Sequence, residues 1–399
     1  LLGPSGGAWA VVPPDIPLVW RPPTGARAAG MAGAYVAIAD DYEALVHNPA
    51  ALARVSRLEL SGTVERRAPR QEVTYLNHPE TSRVTKTKIQ ALGFAFPFPT
   101  YRGSFVVGMA YDRAIPLDSE YYRAGANSAV RLDQESIVEE GGVGAWTSGI
   151  AFDLSPTLSL GASGTILTGS SGRERTFHHG QWQERVGDFE VTSSTTNMDI
   201  NAVTGTLGVL LRPLESVRAG IVLHLPETYT LKGRITEDTQ RYQVAGDTLD
   251  YRDAYRFEDK LKLPLRISLG LAAAAGGALT GLTVTGQADL ADWTQIDYTG
   301  PIRTSDRQYA YRSVADLHVG LEYARELALT TDSRLPLRLR AGFASIPVPY
   351  RLVVTDVFLG EYATARFAPN RTLLSAGFGL GLDPNTMLDA AWTRTNFER

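Results

Sequence analysis

The sequence predicts an all-β chain, a transmembrane antiparallel β-barrel of up-and-down topology. Three observations carry that expectation. Apolar residues recur at every second position in segment after segment. The connections between those segments alternate between short turns and long polar stretches. No run of about 18 apolar residues exists to form a helical span, whereas a β span needs only about 9 to 11 residues of alternating character.

The elements follow in chain order. Residues 1 to 23 form an N-terminal tail. It begins at Leu1 with no charged stretch ahead of an apolar run, so a signal peptide is absent from this chain. Gly3-Pro4-Ser5-Gly6-Gly7 matches the nucleophile-elbow spacing but lacks the flanking strand and helix, and reads as tail. Next comes "TGARAAGMAGAYVAIADDYEALVHNPAAL" (24 to 52), built from small residues. Here Asp40 is spaced to cap a helix starting at Asp41, with Glu43 completing a capping box. Asn48 is spaced to cap a second turn with Pro49 at its first position, where a missing N–H costs nothing.

Strands are predicted near 57-66, 86-97, 103-113, 143-154, 157-172, 190-212, 214-234, 261-275, 279-296, 312-328, 335-347, 372-383 and 385-397, thirteen in all. The alternation is clearest where Leu263, Leu265, Ile267, Leu269 and Leu271 share one face, and again at Leu335, Leu337, Leu339, Ala341 and Phe343. Short turns such as "PFPTYRG" (97-103), "DLSPT" (153-157), "RPLES" (212-216) and "LDPNT" (382-386) carry Gly, Pro, Asp or Asn. The long segments 114-142, 173-189, 235-260, 297-311 and 348-371 read as polar loops at the opposite end.

A closed sheet of this many strands has an interior too wide for side chains to fill. The apolar face therefore meets lipid, and the face bearing Arg218, His224, Arg266, His318, Glu322, Arg338 and Arg340 lines a wet lumen. Phe96, Phe98, Trp146, Trp293, Tyr323 and Trp392 stand near strand ends, as interfacial aromatics do. A soluble pair of stacked sandwiches is the alternative, and requires the apolar faces to pair in a dry core.

"GARAAGMAGAYVAIADDYEALVHNPAAL" (25 to 52) resembles the N-terminal signature of the FadL-type outer-membrane proteins, and "LPETYTLKG" (225-233), "ADLADWTQID" (288-297) and "LRLRAGFASIPVP" (337-349) fall in order where that family has comparable strands. The resemblance implies a fourteen-stranded barrel (57-399) in the cell outer membrane of Gram-negative type. It also implies a helical lumenal hatch, 24 to 56, with Gly30, Gly33, Asp40, Asp41, Asn48, Pro49 and Ala50 as hatch residues. Hydrophobic cargo leaves sideways beside a kinked strand in such proteins, and Gly103 and Gly108 are the glycines placed to kink the third strand here. Thirteen strands leave the chain ending on the wrong side. Either a fourteenth strand lies beyond Arg399, or two strands are merged within 190-212.

Composition sets limits. With 39 basic and 43 acidic residues and a net charge of -4, no bulk nucleic-acid-binding surface is expected. The chain has no cysteine, which excludes disulfides and thiolate chemistry. No catalytic constellation, metal site or cofactor is expected. His178 and His179 read as loop residues without further ligands, and "TLDYRDAYRFEDK" (248-260) reads as a solvated loop. The implied function is passive, hatch-controlled uptake of small hydrophobic molecules such as long-chain fatty acids, held in a greasy pocket between hatch and wall. Its partners are hydrophobic small molecules and outer-membrane lipid. The rival reading is a FadL-like barrel that anchors or shuttles other outer-membrane or surface proteins, as PorV-type members do. A third is a soluble extracellular β-protein.

Overall fold

The computed structural model describes residues 21-75, 78-126, 131-181, 189-242, 248-299, 307-328, 334-355, 362-364, 370-383 and 385-396. Seventeen strand segments join in one antiparallel sheet. With the smaller sheets they trace thirteen strands, several in two pieces: β1 (Glu59–Arg67, Arg70–Tyr75), β2 (His78–Arg83, Lys86–Phe98), β3 (Phe105–Pro116, Ser119–Ala126), β4 (Arg131–Ser155), β5 (Leu158–Gln181), β6 (Phe189–Leu214) and β7 (Val217–His224, Glu227–Tyr242). The rest are β8 (Thr248–Leu263, Arg266–Ala274), β9 (Leu282–Asp292, Asp297–Thr299), β10 (Arg307–Tyr311, Ser313–Ala328), β11 (Arg334–Ile346, Tyr350–Thr355), β12 (Tyr362–Thr364, Arg371–Asp383) and β13 (Thr386–Asn396).

Each strand pairs with the next, and the guanidinium of Arg57 donates to Asn385 Oδ1 at 3.0 Å, bringing the first and last strands together at the short-turn end. No helix among the described residues is long and apolar enough to cross a membrane. Leucine, isoleucine and phenylalanine on the outward face stand exposed around the sheet, among them Phe94, Ile150, Leu207, Leu269, Leu321 and Phe343. That band is what a lipid-facing surface requires.

Three expectations need correction. Among the described residues the long polar segments are mostly strand: β4, β5 and β6 span 25, 24 and 26 residues, and 248-260 pairs with β7 residue by residue. His178 and His179 lie in β5, where the imidazole of His179 meets Asp133 on β4. Polar side chains hid these ladders, because a strand wet on one face needs no apolar alternation to satisfy its backbone. Nor is 190-212 two merged strands, since Phe189–Leu214 runs unbroken.

The third correction concerns β7 and β8. Leu263 does not share the outward face of Leu265 to Leu271: it is buried, while Leu265 and Leu269 are exposed. The cause is a break at the same height in both strands. His224 pairs with Arg266 and Glu227 with Leu263, leaving Leu225-Pro226 opposite Pro264-Leu265 outside the ladder. Proline has no N–H to give a ladder. Across the break the inside-outside phase reverses, so the apolar positions face lipid below it and face inward above it.

Candidate functional site

Inside the sheet lies the N-terminal segment, comprising α1 (Ala26–Gly30), α2 (Ala44–His47) and a 3-10 turn (Pro49–Arg54). Small residues let it press on the wall. A Cβ on Gly161 would meet Pro49 carbonyl carbon at 2.3 Å, and one on Gly342 would meet that of Met31 at 2.3 Å. Inward glycines on successive strands thus seat the segment backbone against strand backbone.

Polar staples fix it there. Arg27 is buried and donates to Glu322 on β10 through Nε at 3.0 Å and Nη2 at 2.9 Å, while its Nη1 reaches Asp40 and, at 3.1 Å, Tyr35 Oη. Arg340 on β11 also holds Glu322, at 2.7 Å, and bonds Asp389 on β13. The imidazole Nδ1 of His318 lies 2.7 Å from Ala32 O, and Gln287 Oε1 accepts from the amides of Tyr35 and Val36. Ser163 and Ser375 donate to Leu45 O and Gly30 O, each at 3.0 Å.

Asn48 caps as the spacing predicts. Its Oδ1 accepts from Ala50 N at 3.1 Å with Pro49 at the first helical position, and its Nδ2 donates to Val36 O and to Val209 O of β6. The capping box does not form. Asp40 turns to Arg27, Asp41 Oδ1 accepts from Glu43 N, and α2 starts at Ala44 with no side-chain cap. A buried guanidinium that needs carboxylates outcompetes a weak local cap. Gly30 packs on Gly377 of β12; Gly33 has φ +84 and follows Ala32, at φ +52, in the tight turn that offers its carbonyl to His318.

Burial shapes the charges of this segment. It pushes the Asp40 carboxyl upward, but Arg27 outweighs burial and holds it below the usual range. Glu43 is pushed well above the usual carboxylate value by burial and by the neighbouring Asp41. Burial likewise lowers His47.

Above the segment, at the end away from the short turns 99-104, 156-157 and 215-216, the inward faces of β3 to β9 form an apolar lining. One row of cross-strand partners reads Ala145, Leu167, Ala202, Tyr229 and Leu261; Val143, Ile200 and Leu231 stand in the row above. Ile115, Ile235, Phe257 and Trp293 belong to the same buried cluster. The sequence reading missed this lining, although its signal was present as stretches such as 228-235, where apolar side chains change phase at Pro226.

Between lining and segment is a cavity of about 150 Å³ with a mixed wall: Asp112, His47, His224, Arg266, Ser268 and Asp289 reach it beside Val36, Leu45, Ile346 and Leu373. Arg21 lies at its edge, bonded to Glu227 and Tyr229. At Asp112 the wall itself changes. The β2–β3 ladder runs from Phe98–Phe105 to Ala91–Asp112 and stops, and among the described residues Lys86 to Ile89 pair with β1 alone while Gln90 bulges out of register. β3 slips register between Asp112 and Ile115 while staying on β4. Side chains bridge the gap: Gln90 reaches Arg113 O at 3.4 Å and Lys88 reaches Asp118 at 2.9 Å. The irregularity lies at neither predicted glycine, since Gly103 occupies a turn with φ +71 and Gly108 sits in regular register beneath Leu45. Among the described residues no His, Cys, Asp or Glu group has the geometry of a metal site.

A family model described as outer membrane protein transport protein (OMPP1/FadL/TodX) matches residues 23–399. Among solved structures, a FadL homologue of Pseudomonas aeruginosa is similar with a TM-score of 0.59 at 15% identity, covering 95% of this chain and 91% of its own. The toluene transporter TodX of P. putida has a TM-score of 0.58 at 14% identity, with 92% and 91% covered. The CymD monoaromatic hydrocarbon channel has 0.57 at 15%, with 96% and 94% covered. No curated protein sequence matches the chain.

Proposed function

Because the chain belongs to the outer membrane protein transport family (OMPP1/FadL/TodX), we propose that it is a passive channel for small hydrophobic molecules, with long-chain fatty acids as the cargo class and residues 24 to 56 as its hatch. The observation that carries this reading is the inward apolar lining of β3 to β9. A water-filled lumen gains nothing from an inner wall of Leu, Ile, Phe and Trp, whereas a hydrocarbon chain leaving water gains about 25 cal/mol per Å² buried there. The mixed wall of the cavity below supports an amphiphilic cargo: Arg266, His224 and Ser268 offer donors to a carboxylate while the chain stays against the lining. The cavity reaches Asp112, where the β2–β3 ladder ends, so the lateral exit proposed here is the gap between Gln90 and Arg113. The same arrangement takes up aromatic hydrocarbons less well, because they offer no acceptor to those donors.

The test is uptake of a fluorescent long-chain fatty acid into vesicles carrying the protein. Replacing Leu231 or Leu261 by Asp should slow uptake roughly tenfold or more, the factor matching the transfer free energy of one leucine side chain. Wild-type rates from both variants would sink the lining as the cargo path.

A further inference from the structure

Outside the wall, on the strands that carry the lining, lies a cluster of cations that transport does not use. Lys232 and Arg234 on β7 and Arg256, Lys260 and Lys262 on β8 are all exposed, on the face opposite the buried Leu231, Phe257, Leu261 and Leu263. Cross-strand register puts Lys262 beside Thr228, Lys260 beside Thr230, and Arg256 directly opposite Arg234. Two arginines facing each other across a ladder repel. The acids beside the cluster on this face are Asp199, opposite Lys232, Asp297, opposite Lys262, and Glu258, with Asp238 and Asp250 farther along the same two strands and Asp238 taken by Arg252. Glu258 is taken by Lys232 at 3.2 Å, and among the described residues Arg234, Arg256, Lys260 and Lys262 form no ion pair.

The position of the cluster identifies what relieves that repulsion. Directly below it on the same face stand the lipid-facing Ile221, Leu225, Leu265 and Leu269. Lys262 and Lys260 precede Leu265 by three and five residues, roughly 10 and 16 Å along the strand at about 3.3 Å per residue, and strand tilt of about 40° shortens both as heights. The cations thus stand just past the last large apolar residues exposed on this face of the two strands, at the edge of the apolar band. We infer that this patch of β7 and β8 binds the phosphate groups of a phosphorylated glycolipid in the outer leaflet. Arg forks and Lys ammonium groups both suit phosphate, and clustered cations at the edge of an apolar band attract anionic lipid.

The inference rests on the reading of the chain as an outer-membrane barrel with its short-turn end in the periplasm. The test inserts the protein into lipid discs doped with either a bis-phosphorylated lipid A-type glycolipid or its dephosphorylated form, and counts bound glycolipid by native mass spectrometry. Wild type should retain the phosphorylated form preferentially. A variant carrying Arg234→Gln, Arg256→Gln, Lys260→Gln and Lys262→Gln should lose that preference by about fivefold per cation, the factor equivalent to about 1 kcal/mol for each. Glu258→Gln should raise retention. Equal retention of the two glycolipids by wild type, or an undiminished preference in the four-site variant, overturns the inference. Insertion is scored first: a protein that fails to insert contradicts the barrel reading, whereas an inserted barrel without preference contradicts this inference alone.

Discussion

Arg27 of the N-terminal segment grips Glu322 of β10 with two hydrogen bonds, 3.0 Å from Nε and 2.9 Å from Nη2, across 295 positions of chain. The pair is buried and branches to Asp40 on one side and to Arg340 and Asp389 on the other. It ties the segment to three strands of the wall.

Removing one member of a buried charge network strands the others. Arg27→Ala leaves Asp40 without its guanidinium while Arg340 still holds Glu322, and should cost the docked segment about 3 to 5 kcal/mol. The expected outcome is passage of small polar solutes through reconstituted protein in a liposome-swelling assay, with barrel assembly unchanged. An impermeable Arg27→Ala barrel would show that other contacts suffice.

Asn48 is fully buried and serves three partners, Ala50 N, Val36 O and Val209 O. Asn48→Ala removes both a cap and a wall contact, at about 1 to 3 kcal/mol. Conductance of single channels in planar bilayers should rise in frequency rather than in size, since the segment opens more often into the same barrel.

Two glycines of β5 make a matched pair. A Cβ on Gly161 lands 2.3 Å from the Pro49 carbonyl carbon, whereas one on Gly164 meets nothing within 4 Å. Gly161→Ala should loosen the segment by about 1 to 3 kcal/mol, and Gly164→Ala should stay within about 0.5 kcal/mol of wild type. Protease sensitivity of the segment in folded protein separates them; equal sensitivity refutes the close seating of Pro49.

Glu43 predicts a pH dependence. Burial, then Asp41, keep its carboxyl protonated far above the usual range; Arg27, Asp389 of β13 and Glu59 of β1 also face it. The docked segment therefore binds a proton that a released segment gives up near pH 4.3. Docking is strongest below that value and weakens as pH rises through the docked carboxyl's raised pKa. Hydrogen exchange of residues 41 to 47 should quicken from pH 5 to pH 8, after correction for intrinsic rates. Glu43→Gln should flatten the rise, and a slope persisting in that variant would assign it to another group.

Thirteen strands and their lipid-facing sides were legible in the sequence, because a strand alternates its side chains between two faces and an exposed apolar face leaves that period in the residue order. The Asn48-Pro49 turn was legible for the same reason of locality: donor, acceptor and proline lie within three positions. The tertiary structure alone decided the rest. Whether Leu263 faces lipid or lumen depends on Pro264 lying opposite Pro226 of another strand, and whether Asp40 caps a helix depends on Arg27, itself committed to Glu322. Those choices are competitions between partners far apart in sequence, and only the closed sheet brings the competitors into reach.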